Sequence, residues 1–355
     1  MMLSAGNGFI LQSDKYSRDN AGQSLKKYIL LKKGEIAYNH GASKAKQYGC
    51  CYELHEKEAR IPYVYHCFKI NDEEYTPYVA LELNNSKMDK QLKRLVSSSV
   101  RMDGLLNISF DDYMSIKITL PCISEQRKIS TFLKTLDKRI EKQRTLVEAL
   151  KKYKRGLLSQ LIAQKKSFGV CEKWKTVKLG QVFKERTERA NGNETLLAVT
   201  ISNGVQRRGE IELKDNSSND KSNYKRVYIG DIAYNTMRMW QGASGASSYN
   251  GIVSPAYTII TPICSDKQDI VFWAYYFKHI PLIQTFQKFS QGLTSDTWNL
   301  KFPQFSEIAV SLPPKQDQDQ IAKCLSIFDG LCKIERVKLQ LLLQIRTSLL
   351  QHLFI

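Results

Sequence analysis

The sequence predicts an α+β protein: two repeated α/β modules joined by two long antiparallel coiled-coil helices with pseudo-twofold symmetry. Three observations predict it. The chain contains an internal repeat, each copy runs into a stretch of heptad periodicity, and the modules carry β-rich runs punctuated by turn signals.

The repeat is direct. GEIAYN at Gly34–Asn39 returns as GDIAYN at Gly230–Asn235, 196 residues later, and Asn7-Gly8 returns as Asn203-Gly204 at the same offset. After a slip of four residues, FDDYMSIKITLP (Phe110–Pro121) matches FPQFSEIAVSLP (Phe302–Pro313) at an offset of 192.

Behind each copy, steps of four and three trace one apolar seam. In the first it is Ile129, Leu133, Leu136, Ile140, Val147, Leu150, Leu157 and Leu161, broken at Gln143 and Lys154. In the second it is Ile321, Leu325, Phe328, Cys332, Leu339, Leu342, Leu349 and Leu353, broken at the equivalent places by Glu335 and Arg346. A sustained 3.5-residue period marks a coiled-coil seam, so the two helices should pair with each other. Glu125 and Asp317 suit the positive ends of their dipoles. A helix over 124–163 would be about 60 Å long, a rigid spacer.

The expected segments are a first module over 1–122, a first helix over 123–166, a second module over 167–314 and a second helix over 315–355. In the second module Trp174–Arg186 reads as an amphipathic opening. Thr195–Ser202 reads as a strand ended by the Asn203-Gly204 turn, and KRVYIGDIAYN as further strands. Ile252–Pro262 looks like a strand pair, Asp269–Phe286 has helical spacing, and IAVSLP is a last short strand. Met1 aligns near Leu197, so the first module lacks a counterpart of Trp174–Leu196 and is expected to be less stable.

Composition narrows the function. The chain has 355 residues, 42% hydrophobic, with a net charge of +18. Mean hydropathy is −0.37 and the pI is near 9.4. A balance this basic points to a polyanion partner. Residues 124–166 hold 13 Lys/Arg against 4 Asp/Glu, which is half the total charge. No apolar run is long enough to span a membrane, and the start lacks the features of a secretory signal, so a cytoplasmic protein is expected. The eight cysteines form no C-x-x-C pair, and the five histidines lack ligand spacing, so no metal site is expected.

Candidate DNA contacts sit in the loops. Arg207 and Arg208 follow the Asn203-Gly204 turn, and Lys225 and Arg226 precede GDIAYN. Arg238, Trp240 and Gln241 follow it, where the first module has Lys44, Lys46 and Gln47. Arg and Gln can read guanine and adenine edges in pairs of hydrogen bonds, and Lys mostly positions phosphates. A shared frame with divergent loops is what two readers of different sequences need.

A duplicated module followed by L-P-x-x-x-E/D-Q-x-x-I and a long helix resembles the specificity subunit of type I restriction–modification enzymes. The matching residues are Leu120, Pro121, Glu125, Gln126 and Ile129, then Leu312, Pro313, Asp317, Gln318 and Ile321. The resemblance implies that each target-recognition module reads one half of a bipartite site in double-stranded DNA. It also implies that the helices fix the gap and dock two modification (methyltransferase) subunits, with restriction subunits recruited to the assembly. S-adenosylmethionine, ATP and Mg would belong to those partners, with no cofactor in this chain. The shortened first module is where the sequence departs from the family.

The chain itself is expected to be non-catalytic. It contains no G-x-x-x-x-G-K-[ST] loop, no G-x-G-x-x-G and no N/D-P-P-Y/F tetrapeptide. Alternatives are a silent or truncated cassette that binds the modification subunit without directing methylation, a stand-alone enzyme fused to DNA recognition, and a scaffold with no DNA role.

Overall fold

The structure, a computed structural model, describes residues 1–15, 27–43, 46–71, 74–96, 106–164, 173–190, 194–211 and 220–354. The chain forms two compact units. The first comprises Met1–Arg144 and Val337–Ile355, the second Thr145–Arg336. Each long helix contributes residues to both units.

The first unit opens with β1 (Met2–Ser4) and β2 (Gly8–Ile10), α1 (Gln12–Lys15), β3 (Ile29–Lys32), β4 (Ile36–Asn39), β5 (Cys50–Glu53), β6 (Glu58–Ile61) and β7 (His66–Phe68). Then come α2 (Thr76–Leu83), α3 (Asp89–Leu95), α4 (Phe110–Met114) and the long α5 (Ile123–Ile162). The strands pair β1 with β2, β3 with β6, and β5-β4-β7 as a three-stranded sheet. Ile36, Tyr38 and Cys51 turn one side of that sheet onto a core with Leu92, Ile108 and Tyr113. Leu31, Ala37 and Cys50 face a second core with Leu3, Leu54 and Ile61.

The second unit contains β8 (Lys175–Lys178), α6 (Leu179–Val182), β9 (Phe183–Arg186), β10 (Leu197–Thr200), β11 (Gly204–Arg207), β12 (Lys225–Val227), β13 (Ile232–Asn235), β14 (Ser244–Ala246), β15 (Gly251–Val253) and β16 (Tyr257–Pro262). It continues with α7 (Ile270–Tyr276), α8 (Ile280–Phe289), α9 (Phe302–Ser306), β17 (Ala309–Leu312) and the long α10 (Lys315–His352). The sheets are β14-β13-β16-β9, β10-β11, β12-β15 and β17-β8.

The duplicated sequence is a duplicated structure. Asn203-Gly204 closes the β10–β11 hairpin, and Asn7-Gly8 closes β1–β2. Both glycines take positive φ, +69° at Gly8 and +66° at Gly204, which a turn this tight requires. Tyr38 pairs with His66 as Tyr234 pairs with Thr258, Tyr234 standing 196 residues after Tyr38 and Thr258 192 after His66.

Three expectations need correction. The amphipathic opening Trp174–Arg186 is two strands around one helical turn. The strands within Ile252–Pro262 do not pair with each other: β15 joins β12, and β16 joins β13 and β9. The helix expected over Asp269–Phe286 breaks into α7 and α8, because Pro281 cannot continue a helix and instead occupies its first turn.

The long helices match the sequence reading closely. Within the first unit, Leu133 and Ile140 are buried, and Ile129 and Leu133 cluster with Leu349 and Leu353. Within the second, Leu158, Leu161, Ile321 and Leu325 share one core. Two of the four polar breaks, Lys154 and Arg346, form interhelical ion pairs. Arg346 meets Asp137 in the first unit, and Lys154 meets Asp329 in the second. Asp137 and Asp329 are themselves repeat equivalents, as are Lys154 and Arg346. As residue numbers climb along α5 they fall along α10, so the pairing is antiparallel. The Asp137 carboxylate raises the Arg346 pKa above its ordinary value by hydrogen bonding to it.

Candidate nucleic-acid interface

The residues that set the frame come first, because a reading loop is only as precise as its support. The glutamine of each L-P-x-x-x-E/D-Q motif is buried and works as a clamp. Gln318 Oε1 accepts the Asp269 N–H at 2.9 Å, and its Nε2 donates to the Pro313 carbonyl at 3.0 Å. Gln126 does the same in the first unit, accepting from Tyr75 N–H at 3.0 Å and donating to the Pro121 carbonyl at 2.8 Å. Each clamp ties the start of a long helix to the start of a module helix, α7 or α2.

On this frame the candidate contacts divide into two groups. Lys225 and Arg226 lie on strand β12 rather than in a loop, and both are engaged by carboxylates. Lys225 pairs with Glu185 at 3.4 Å, with its side chain only 14% exposed. Arg226 reaches Glu188 at 2.9 Å and Glu194 at 3.0 Å. Its guanidinium donates hydrogen bonds to Tyr228, Glu188 and Glu194, which raise its pKa above the ordinary value. The neighbouring Arg186 is clamped on the buried carboxylate of Asp231 and stacked over Tyr228. These cations neutralise their own module.

The other group is exposed. Arg207 ends β11 with its side chain 55% exposed, lying over the Tyr249 ring and 3.6 Å from Glu210. Arg208, itself half-buried, follows on a 3₁₀ turn. Arg238 is exposed at the turn after β13, and among the described residues no carboxylate pairs with it. That turn is well fixed. Asn235 Oδ1 accepts the Met237 N–H at 3.0 Å, and Gly242 closes the turn at φ +80°. Gln241 is half-exposed beside it.

Trp240 is partly structural: its indole N–H donates to the Met237 carbonyl at 3.0 Å, and its ring meets Trp298 edge-on at 5.1 Å. Trp298 belongs to the 291–299 loop, which the sequence reading passed over. Leu293 stands there wholly exposed at 101%. Only its place beside an exposed Arg turn singles it out.

In the first module Lys44 lies outside the described residues. Lys46 donates to the Asn84 carbonyl at the end of α2, and burial lowers its pKa. Gln47 is exposed. Among the described residues there is no cluster of His, Cys, Asp and Glu able to hold a metal ion.

The arrangement defines a class: a duplicated α+β module, each copy clamped by a buried glutamine to the start of one of two long antiparallel helices. The family described as Type I restriction modification DNA specificity domain matches the sequence twice, over residues 17–151 and 171–344. The chain belongs to that family. Its fold is similar to the HsdS subunit from Thermoanaerobacter tengcongensis, at 14% identity over 92% of this chain and 81% of that one, with a TM-score of 0.50. It is also similar to the type I S subunit from M. genitalium, at 14% identity over 91% and 83%, with a TM-score of 0.54. A structure from work on assembly and conformational transition of the type I R-M system matches at 13% identity over 92% and 82%, with a TM-score of 0.56. No helix among the described residues is long and apolar enough to cross a membrane.

Proposed function

We propose that this chain directs a type I modification complex to a bipartite site in double-stranded DNA, each module reading one half-site and the helix pair fixing the gap. The observation that carries the reading is the pair of loops at Arg207–Arg208 and Arg238–Gln241, with Arg207 and Arg238 exposed, fixed on a frame that the first module repeats with different loop residues. Arg and Gln side chains on rigid turns are the chemistry of base-edge readout. The positive charge concentrated at 124–166 supplies phosphate attraction.

Docking of modification subunits is supported by a second apolar stripe on α10, apart from the seam. Ile327, Leu331 and Ile334, and further along Leu341 and Ile345, are all exposed at steps of the same heptad period. Methyl transfer, with its S-adenosylmethionine, and the ATP- and Mg-dependent steps belong in this reading to the modification and restriction subunits, and the chain is non-catalytic.

Co-expression with the cognate modification subunit, followed by mapping of methylated adenines, tests the reading. A bipartite motif with a fixed gap is expected. A stable complex without site-specific methylation would replace it with a docking-only cassette.

A further inference from the structure

We propose that Leu293, at the tip of the 291–299 loop, is an apolar wedge that enters a base step of the DNA half-site read by the second module. The inference rests on the DNA reading proposed above. It adds a second kind of readout, by deformation of the duplex instead of by hydrogen bonds to base edges.

The loop is built to hold its tip in place. Gln291 and Asn299 close the neck with two antiparallel bonds: the Gln291 N–H donates to the Asn299 carbonyl at 3.0 Å, and the Asn299 N–H to the Gln291 carbonyl at 2.8 Å. Above the neck the Thr294 carbonyl accepts from the Thr297 N–H at 3.0 Å, the Trp298 N–H at 3.1 Å and the Thr297 hydroxyl at 3.0 Å. The Thr294 N–H in turn donates to Thr297 Oγ1 at 3.1 Å. Gly292 turns into the tip at φ +140°, where an added Cβ would stand 2.6 Å from the Thr297 carbonyl oxygen. Only glycine fits there.

The same loop is fastened to the Arg238 turn at two points. At its base the Leu300 N–H donates to the Thr236 carbonyl at 2.9 Å, and both residues are buried. Nearer the tip, Trp298 meets Trp240 edge-on. Leu293 and Arg238 are therefore presented by one body.

This framework holds a side chain that the core does not use, since Leu293 is fully exposed. Its loop neighbours Gln291, Thr294, Ser295 and Asp296 are exposed and polar. A protein partner selects a contiguous apolar patch. One leucine standing among hydroxyls has instead the form of the side chains that part stacked bases. Charge agrees with a DNA partner. Lys288 and Lys301 are exposed at the two ends of the loop and Arg238 on the adjoining turn, against the loop's one carboxylate, Asp296. Such a surface attracts phosphates. A wedge costs least where stacked bases part easily, at TA or CA/TG steps. One half-site should therefore favour such a step at a position that no side chain reads.

The test uses the whole chain in complex with its modification subunit, on a duplex carrying the methylated motif. 2-Aminopurine replaces each purine of the motif in turn, the methylated adenine excepted, and its fluorescence reports unstacking. One step within one half-site should brighten on binding, and the duplex should bend there. Leu293→Ala should abolish both signals and weaken binding about tenfold, the size expected of one leucine losing its burial, whereas Leu293→Met should keep them. Because Leu293 lies outside the core, unfolding does not account for such a loss. Unstacking and affinity indifferent to Leu293→Ala overturn the proposal. So does release of the modification subunit by Leu293→Ala, since the tip would then be a protein contact. A complex that methylates no fixed motif removes the DNA reading and the wedge together, whereas a fixed motif with no step dependent on residue 293 removes the wedge alone.

Discussion

Replacing Gln318 with Leu keeps the volume and removes every polar contact of the clamp. The side chain is 1% exposed, so water cannot take its place. The Asp269 N–H and the Pro313 carbonyl would lose their partner, and so would the Lys267 carbonyl, 3.4 Å from Nε2. A buried donor or acceptor left unsatisfied costs about 1–3 kcal/mol. With some relaxation at the more open Lys267, the sum is about 3 kcal/mol. At roughly 2–4 °C per kcal/mol for a unit of this size, the transition should fall by roughly 6–12 °C. Calorimetry of the whole chain measures it, and hydrogen exchange localises it. The Asp269 and Phe272 amides should exchange faster, because α7 begins at that clamp. A shift under about 2 °C with unchanged exchange at Asp269 would refute the reasoning, since the clamp would then be a consequence of the fold and not a support.

Three further outcomes are expected. Leu133→Asp places a charge at a 2% exposed seam position, so helix pairing in the first unit and co-purification with the modification subunit should both be lost, and retained assembly would refute the seam. Arg238→Ala should relax or weaken reading of one half-site only, by roughly 1–3 kcal/mol, seen as a changed methylation motif on one side of the gap. Lys278, whose Nζ donates to the Ile201 and Gly242 carbonyls, has its pKa lowered by burial from 10.5 to about 8. The folded state releases this proton before the unfolded state does, so this site's contribution to stability rises with pH between about 8 and 10.5 and is flat below. Unfolding curves at pH 7.5, 8.5 and 9.5 should show that rise in the parent and a flatter profile in Lys278→Met.

Much of the fold was legible because its signals are local or periodic. The seam positions of α5 and α10 follow from steps of three and four, and Asn-Gly turns with positive φ need only their own backbone. The loop contacts were less legible. Arg207, Arg226 and Arg238 look alike in sequence, yet one lies over Tyr249, one is held by two glutamates and one has no carboxylate partner among the described residues. Which carboxylate faces which cation depends on strand register across tens of residues, and no spacing rule reports that.

The sequence by itself determined that there are two copies of one module, that each leads into a long helix, and where polar residues interrupt the apolar seam. Those are properties of repetition and period, which a linear string carries in full. Only the tertiary structure decided that Lys154 and Arg346 answer Asp329 and Asp137 across the helix pair. It also decided that Gln126 and Gln318 are buried clamps. These are contacts between residues far apart in sequence, whose energies depend on burial and direction, and both exist only once the chain has folded.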